Sequence, residues 1–218
     1  LINIIMANAV SKSIRVLPVA LRVKIFSYSL ENSPKDLFNL VTSCKELHET
    51  FENNREKVLP AFLSRLLDSK ELAIATAHYF ATIAPWKCVK DLDVPAPQNR
   101  EEYLEHVTAF CDKHLSKQGT ELRTLKTDFT LPMVAHIVDI HNAISDLAKT
   151  MAPKIVACRH LQPNPTPVEL AKVTKSLYVF DLVSILFPMS PVSARQHASD
   201  DISEHDHAFT KFWTCFAP

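Results

Sequence analysis

LPVALRVKIFSYSLENSPKDLFNLVTSCKELHETF, residues 17–51, reads as a run of short amphipathic helices, and that reading sets the fold class of the chain. A Leu-Pro pair opens a first segment with Leu21, Ile25 and Phe26 at helical spacing. A second segment places Leu37, Leu40, Val41, Cys44, Leu47 and Phe51 on one stripe, at a period of about 3.6 residues. Between the two lies a helix start: Ser33 as N-cap, Pro34 at the first helical position, Asp36 in the first turn. Helices this short and this apolar must be covered by something beyond themselves. The cover comes from the rest of the chain or from another protein.

The stretch resembles an F-box, the helical module by which receptor proteins dock onto a Skp-family adaptor in cullin–RING ubiquitin ligases. Leu17-Pro18, Ile25-Phe26-Ser27-Tyr28, Asp36-Leu37, Leu40-Val41 and Cys44-Lys45 carry the resemblance, which covers residues 17–51 of 218. Three positions depart from the family pattern. Ala20 stands where an acidic residue is usual, the stretch before Asp36 is longer so that Leu30 comes late, and Leu47 or His48 replaces an aromatic. Segments 51–67 and 173–187 further resemble proteins of filamentous fungi in which an F-box-like start leads into an all-helical region, and the present chain resembles a truncated version of that pattern. The resemblance implies a non-catalytic receptor subunit without cofactor or metal. Leu17, Pro18, Leu21, Ile25, Phe26, Leu37, Leu40, Val41, Cys44 and Leu47 would supply the adaptor contact, and the downstream helices would hold a substrate protein. The competing expectation is a self-contained helical interaction protein in which the F-box-like helices are absorbed into one fold and bind no ubiquitin machinery.

Composition narrows the alternatives. Hydrophobic residues make up 47% and charged residues 22% of the chain, as in an ordinary globular protein. Basic and acidic residues balance at 24 each, with no basic stripe, which disfavours nucleic-acid binding. Gly119 is the single glycine. Phosphate-cradling loops and dinucleotide fingerprints need several, and tight hairpins favour them, so P-loop and Rossmann chemistry are set aside and an all-α fold is expected. The cysteines Cys44, Cys88, Cys111, Cys158 and Cys215 are odd in number and dispersed, which points to reduced thiols and a cytoplasmic or nuclear location. No run approaches the roughly 18–20 apolar residues of a membrane span. The opening LINII is too short for the apolar region of a signal peptide, and Met6 offers an alternative start.

Capping signals divide the remainder. Residues 1–13 form a tail, 14–51 the F-box-like module, 52–187 a helical domain continuous with it as an irregular bundle, and 188–218 a flexible segment ending in a short helix. Val58, Leu59, Phe62, Leu63, Leu66 and Leu67 make an amphipathic face if Pro60 lies in a first turn. Asp68 with Glu71 opens a helix over 69–84, and 85–98 is a loop with Trp86 tucked inward. Asn99 with Glu102 opens a helix burying Tyr103, Leu104, Val107, Phe110, Cys111 and His114, which Gly119 ends. Thr130 and Pro132 start a long helix through Val134, Ile137, Ile140, Ile144, Leu147 and Met151, kinked or broken by Pro153. Thr166, Pro167 and Glu169 begin a helix to about Phe187 whose wide apolar face suggests a central position. Ser203 caps the last helix, with Phe209, Phe212, Trp213 and Phe216 docking on the core. No internal repeat is present, which sets aside Leu-rich or propeller arrays.

Three groups of residues invite a chemical reading. DDISEHDH, residues 200–207, offers metal-ligand types with His197 nearby, but reads as solvated acids at a helix start. His136 and His141 are five apart, about 140° round a helix, so with Asp139 they make a poor metal set. They read as one surface and one half-buried histidine. Cys44 on its apolar stripe reads as a small buried hydrophobe with a raised pKa rather than a nucleophile. No nucleophile elbow is present, and enzymatic activity is not expected.

Overall fold

A computed structural model describes residues 16–84, 97–116, 128–157, 164–187 and 202–216. Among these the chain is all-α, without strands. In chain order the helices are α1 (Val19–Asn32), α2 (Pro34–Thr42), α3 (Lys45–Glu52), α4 (Arg55–Leu66), α5 (Ser69–Ile83), α6 (Pro97–Phe110), α7 (Leu131–Ala157), α8 (Pro167–Leu186) and α9 (Ile202–Thr214). A π-helical turn, Cys111–Leu115, follows α6 directly. The chain forms two compact units. The first comprises Leu1–Asp68 and Thr127–Asp139, the second Ser69–Lys126 and Ile140–Pro218.

In the first unit each short helix contributes apolar residues one turn apart. They are Phe26 and Leu30 from α1, Leu37 and Val41 from α2, Leu47 and Phe51 from α3, and Leu59 and Leu63 from α4, all of them buried. One helical turn places such pairs on the same side, so four short helices can share one core. Phe26 meets Phe51 edge to face, with centroids 5.8 Å apart. Each fully buried side chain contributes about 1.5–3 kcal/mol, which helices of this length need because alone they would not persist. Phe129, just before α7, and Met133, Val134 and Ile137 within it are buried in the later part of this unit.

The start of α2 matches the sequence. Ser33 is extended and its hydroxyl accepts from Lys35 N, Pro34 opens the helix, and Asp36 sits in the first turn. The stripe read as one helix is two. Cys44 is extended (φ −163°, ψ 158°) between α2 and α3, half-buried and outside either helix, so it is not a buried residue on a helical stripe. Pro60 lies inside α4 rather than in its first turn. Burial of Val58, Leu59, Phe62 and Leu63 around it offsets the lost backbone bond.

In the second unit every position from Leu72 to His78 in α5 is buried. Its run of alanines lets neighbouring backbones approach closely, and α8 packs against it. The helix expected to be central, α8, is instead one-sided. Thr174, Tyr178, Val179, Leu182 and Leu186 are buried, while Val168 and Phe180 face outward. Its start is a full capping box. Thr166 Oγ1 accepts from Glu169 N, and Glu169 Oε2 accepts from Thr166 N at 2.8 Å. Along α7, Thr130 Oγ1 accepts from Met133 N at the start, and the helix runs on through Pro153 to Ala157. Leu147 and Met151 lie on its exposed side. The last helix docks through Phe212, which is fully buried and lies edge to face with Phe187 at 5.9 Å. The expectations for Trp86, Gly119, residues 188–201 and the DDISEHDH side chains lie outside the described residues.

Candidate partner-binding surface

The Leu-Pro pair does local work at the head of α1. The carbonyl of Pro18 accepts from Leu21 N at 2.9 Å and from Arg22 N at 3.1 Å, and a proline there forfeits no helical donor. From this start α1 presents two apolar faces. Phe26 and Leu30 point into the unit's core. Pro18, Leu21, Ile25 and Tyr28 follow at spacings of three and four residues, which keeps them on one stripe turned away from Phe26. Leu21 is 44% and Tyr28 67% exposed, and Ile25 is half-buried. Val16 (84%) and Val19 (49%) lie exposed near the head of α1, and Phe38 (51%) on α2.

The ten residues singled out from the sequence therefore divide. Phe26, Leu37, Val41 and Leu47 are buried within the chain and form part of its own core. Pro18 and Leu21 are exposed, and Leu17, Ile25, Leu40 and Cys44 are half-buried. Tyr28, Phe38, Val16 and Val19 extend the exposed apolar surface although they were not among the residues expected to contact the adaptor. Tyr28 could have been found from its spacing to Leu21 and Ile25. Phe38 adjoins Leu37 in sequence, so only the packing of α2 shows which of the two is covered.

Polar contacts hold α1 on α3. Arg22 Nη1 donates to Thr50 Oγ1 at 2.7 Å, and that hydroxyl donates to the carbonyl of Glu46 at 2.7 Å. The Asn54 amide donates to the carbonyl of Thr50 at 2.8 Å. The outward stripe of α1 thus stands on a helix held to its unit by both apolar and hydrogen-bonded contacts.

The second unit also encloses polar groups. His78, almost fully buried, lies 2.6 Å from Asp181 through Nε2. His141 Nδ1 lies 3.0 Å from the Tyr178 hydroxyl, and His141 Nε2 lies 3.4 Å from Ser145 Oγ. Burial and then the nearby Lys149 ammonium hold the His141 imidazole below the usual histidine range. Burial and then Glu71 push the Tyr178 phenol up. Ser145 sits inside α7, where backbone N–H groups are committed to the helix and supply no oxyanion donors. His136 and His141 are both half-buried, so neither is the surface histidine expected from the sequence. Among the described residues no group of three or more His, Cys, Asp or Glu could hold a metal ion. Nor is any described helix long and apolar enough to cross a membrane.

No protein-family profile, curated protein or solved structure matches the chain.

Proposed function

We propose that the chain is a non-catalytic receptor subunit whose N-terminal helices dock on a Skp-family adaptor and whose downstream helices hold a substrate protein for ubiquitin transfer. The observation that carries this reading is the second apolar stripe of α1, formed by Pro18, Leu21, Ile25 and Tyr28 and turned away from the core face of the same helix. An α-helix that needs only one apolar face to join its own unit, yet carries two, suits contact with a further protein. Leu17, Leu40 and Cys44 would add half-buried surface, while Phe26, Leu37, Val41 and Leu47 would shape the module from within. Catalysis would be positional, since holding a substrate beside a ubiquitin-charged enzyme raises its effective concentration.

The second reading, a self-contained helical interaction protein without a ligase role, draws on the burial of those four residues. The fungal likeness of the downstream segments supports the first reading without naming a substrate. Co-purification of the full chain with a fungal Skp-family adaptor tests the proposal. Wild type should form a complex, and Leu21→Asp/Tyr28→Asp should lose it while keeping its helical circular dichroism. Absence of a wild-type complex at micromolar concentrations, or full retention of binding by the double variant, sinks it.

A further inference from the structure

Both long borders of the α1 stripe are basic. Lys24 follows Leu21 by three residues and precedes Tyr28 by four, which sets it about 60° round the helix from Leu21 on one border. Arg22 follows Pro18 by four residues and precedes Ile25 by three, which sets it on the other. From Val16 to Leu30 the sequence contains no aspartate or glutamate. On α2, exposed Lys35 stands one turn before exposed Phe38.

Among the described residues none of these three cations holds a carboxylate. Arg22 Nη1 donates to the Thr50 hydroxyl at 2.7 Å, and its Nε is enclosed without a hydrogen-bond partner among the described residues. Lys45 on α3, by contrast, lies 3.6 Å from Glu49. The positive charge beside the stripe is thus uncompensated within the described part of the unit.

We infer that α1 is received by an apolar groove edged with carboxylates on both sides, and that Lys24 and Arg22 decide which partner takes the stripe. This rests on the reading of α1 as the adaptor-binding helix and names the chemistry that its partner presents. In such an interface the apolar centre is desolvated, while charges at the rim guide the encounter. A rim cation attracts carboxylates over about a Debye length and so raises the rate at which the two surfaces meet. Toward a groove edged with lysine or arginine the same side chains repel, and a groove of suitable shape is refused. The Thr50 hydroxyl fixes the Arg22 guanidinium in advance, so pairing it with a carboxylate costs less side-chain entropy. A bilayer with anionic headgroups also matches an apolar stripe with basic borders. A protein fits better here, because Arg22 is half-buried and tied to α3, and because Phe26 and Leu30 are enclosed and leave only a narrow apolar face.

The test measures association and dissociation rates of the full chain with a purified fungal Skp-family adaptor, at about 0.05 and 0.5 M salt. Wild type should associate several-fold faster at the lower salt, with little change in dissociation. Lys24→Glu should associate on the order of tenfold more slowly at low salt, with its helical circular dichroism intact. Lys24→Arg should match wild type. Lys172→Glu, at an exposed position of the second unit, alters net charge equally and should leave the rate unchanged. Equal rates for wild type and Lys24→Glu overturn the inference and leave the adaptor reading standing. Equal slowing by Lys172→Glu overturns it too, since net charge would then be the cause. Absence of a wild-type complex removes both. Phosphatidylserine vesicles that bind wild type but not Lys24→Glu, with adaptor rates unaltered, assign the basic borders to a membrane and overturn it.

Discussion

One guanidinium nitrogen of Arg55, Nη2, reaches both carboxylate oxygens of Asp128, at 2.7 and 2.8 Å, and so fastens the start of α4 to a residue 73 positions later. The other terminal nitrogen, Nη1, holds Glu52 at 3.0 Å. The tie lies inside the first unit, where the segment leading into α7 joins the four N-terminal helices. Asp128 is largely exposed, so solvent screens the pair. Asp128→Ala should cost about 0.5–1 kcal/mol in urea unfolding at low salt, and the cost should shrink in molar salt. A salt-independent loss would assign the effect to packing instead.

The two faces of α1 and α2 predict opposite responses to truncation. Leu37 is fully buried, and Leu37→Ala should cost about 2–5 kcal/mol by opening a cavity in the shared core. Leu21→Ala, on the exposed stripe, should stay within about 0.5 kcal/mol of wild type. Chemical denaturation of both variants measures the contrast. Equal losses would mean that the stripe of α1 is covered by the chain itself.

The capping box of α8 is a local device with a local cost. Thr166→Ala removes the oxygen that accepts from Glu169 N and should destabilise the second unit by about 1 kcal/mol. Thr166→Ser keeps that acceptor and should recover most of the loss. Thermal unfolding of the pair provides the check, and a serine variant as weak as the alanine would point to the threonine methyl.

His141 gives the second unit a pH dependence whose sign follows from its depressed pKa. Below the ordinary histidine value of about 6.5 the unfolded chain takes up a proton that the folded chain still refuses, so stability falls as pH drops. The decline continues until pH reaches the lower folded value and then stops. His141→Gln removes that term. Between about pH 7.5 and pH 5.5 its urea midpoint should therefore fall less than that of wild type. Parallel slopes would show that His141 protonates equally in both states.

Much of the fold could be read without coordinates because the signals that carry it are local. Ser33 and Thr166 cap their helices through their own side chains, and a chain with Gly119 as its lone glycine has few means of making hairpins. The break at Cys44 could not be read. Leu37, Val41, Leu47 and Phe51 keep a helical period whether the backbone runs straight or is interrupted by one extended residue. Pro60 misled for a related reason, since the bond a proline removes can be offset by neighbours that the period does not reveal.

The sequence by itself determined the all-α class, where most of the described helices begin, and which residues are apolar enough to be buried. Tertiary structure decided which of them are. Both Phe26 and Tyr28 satisfy the helical pattern of α1, yet one is enclosed and the other faces outward, because α2, α3 and α4 pack on that helix from one side. The meetings of Arg55 with Asp128 and of His78 with Asp181 are likewise tertiary. Helical period and capping act over a few residues, whereas partners many turns apart are chosen only when helices pack.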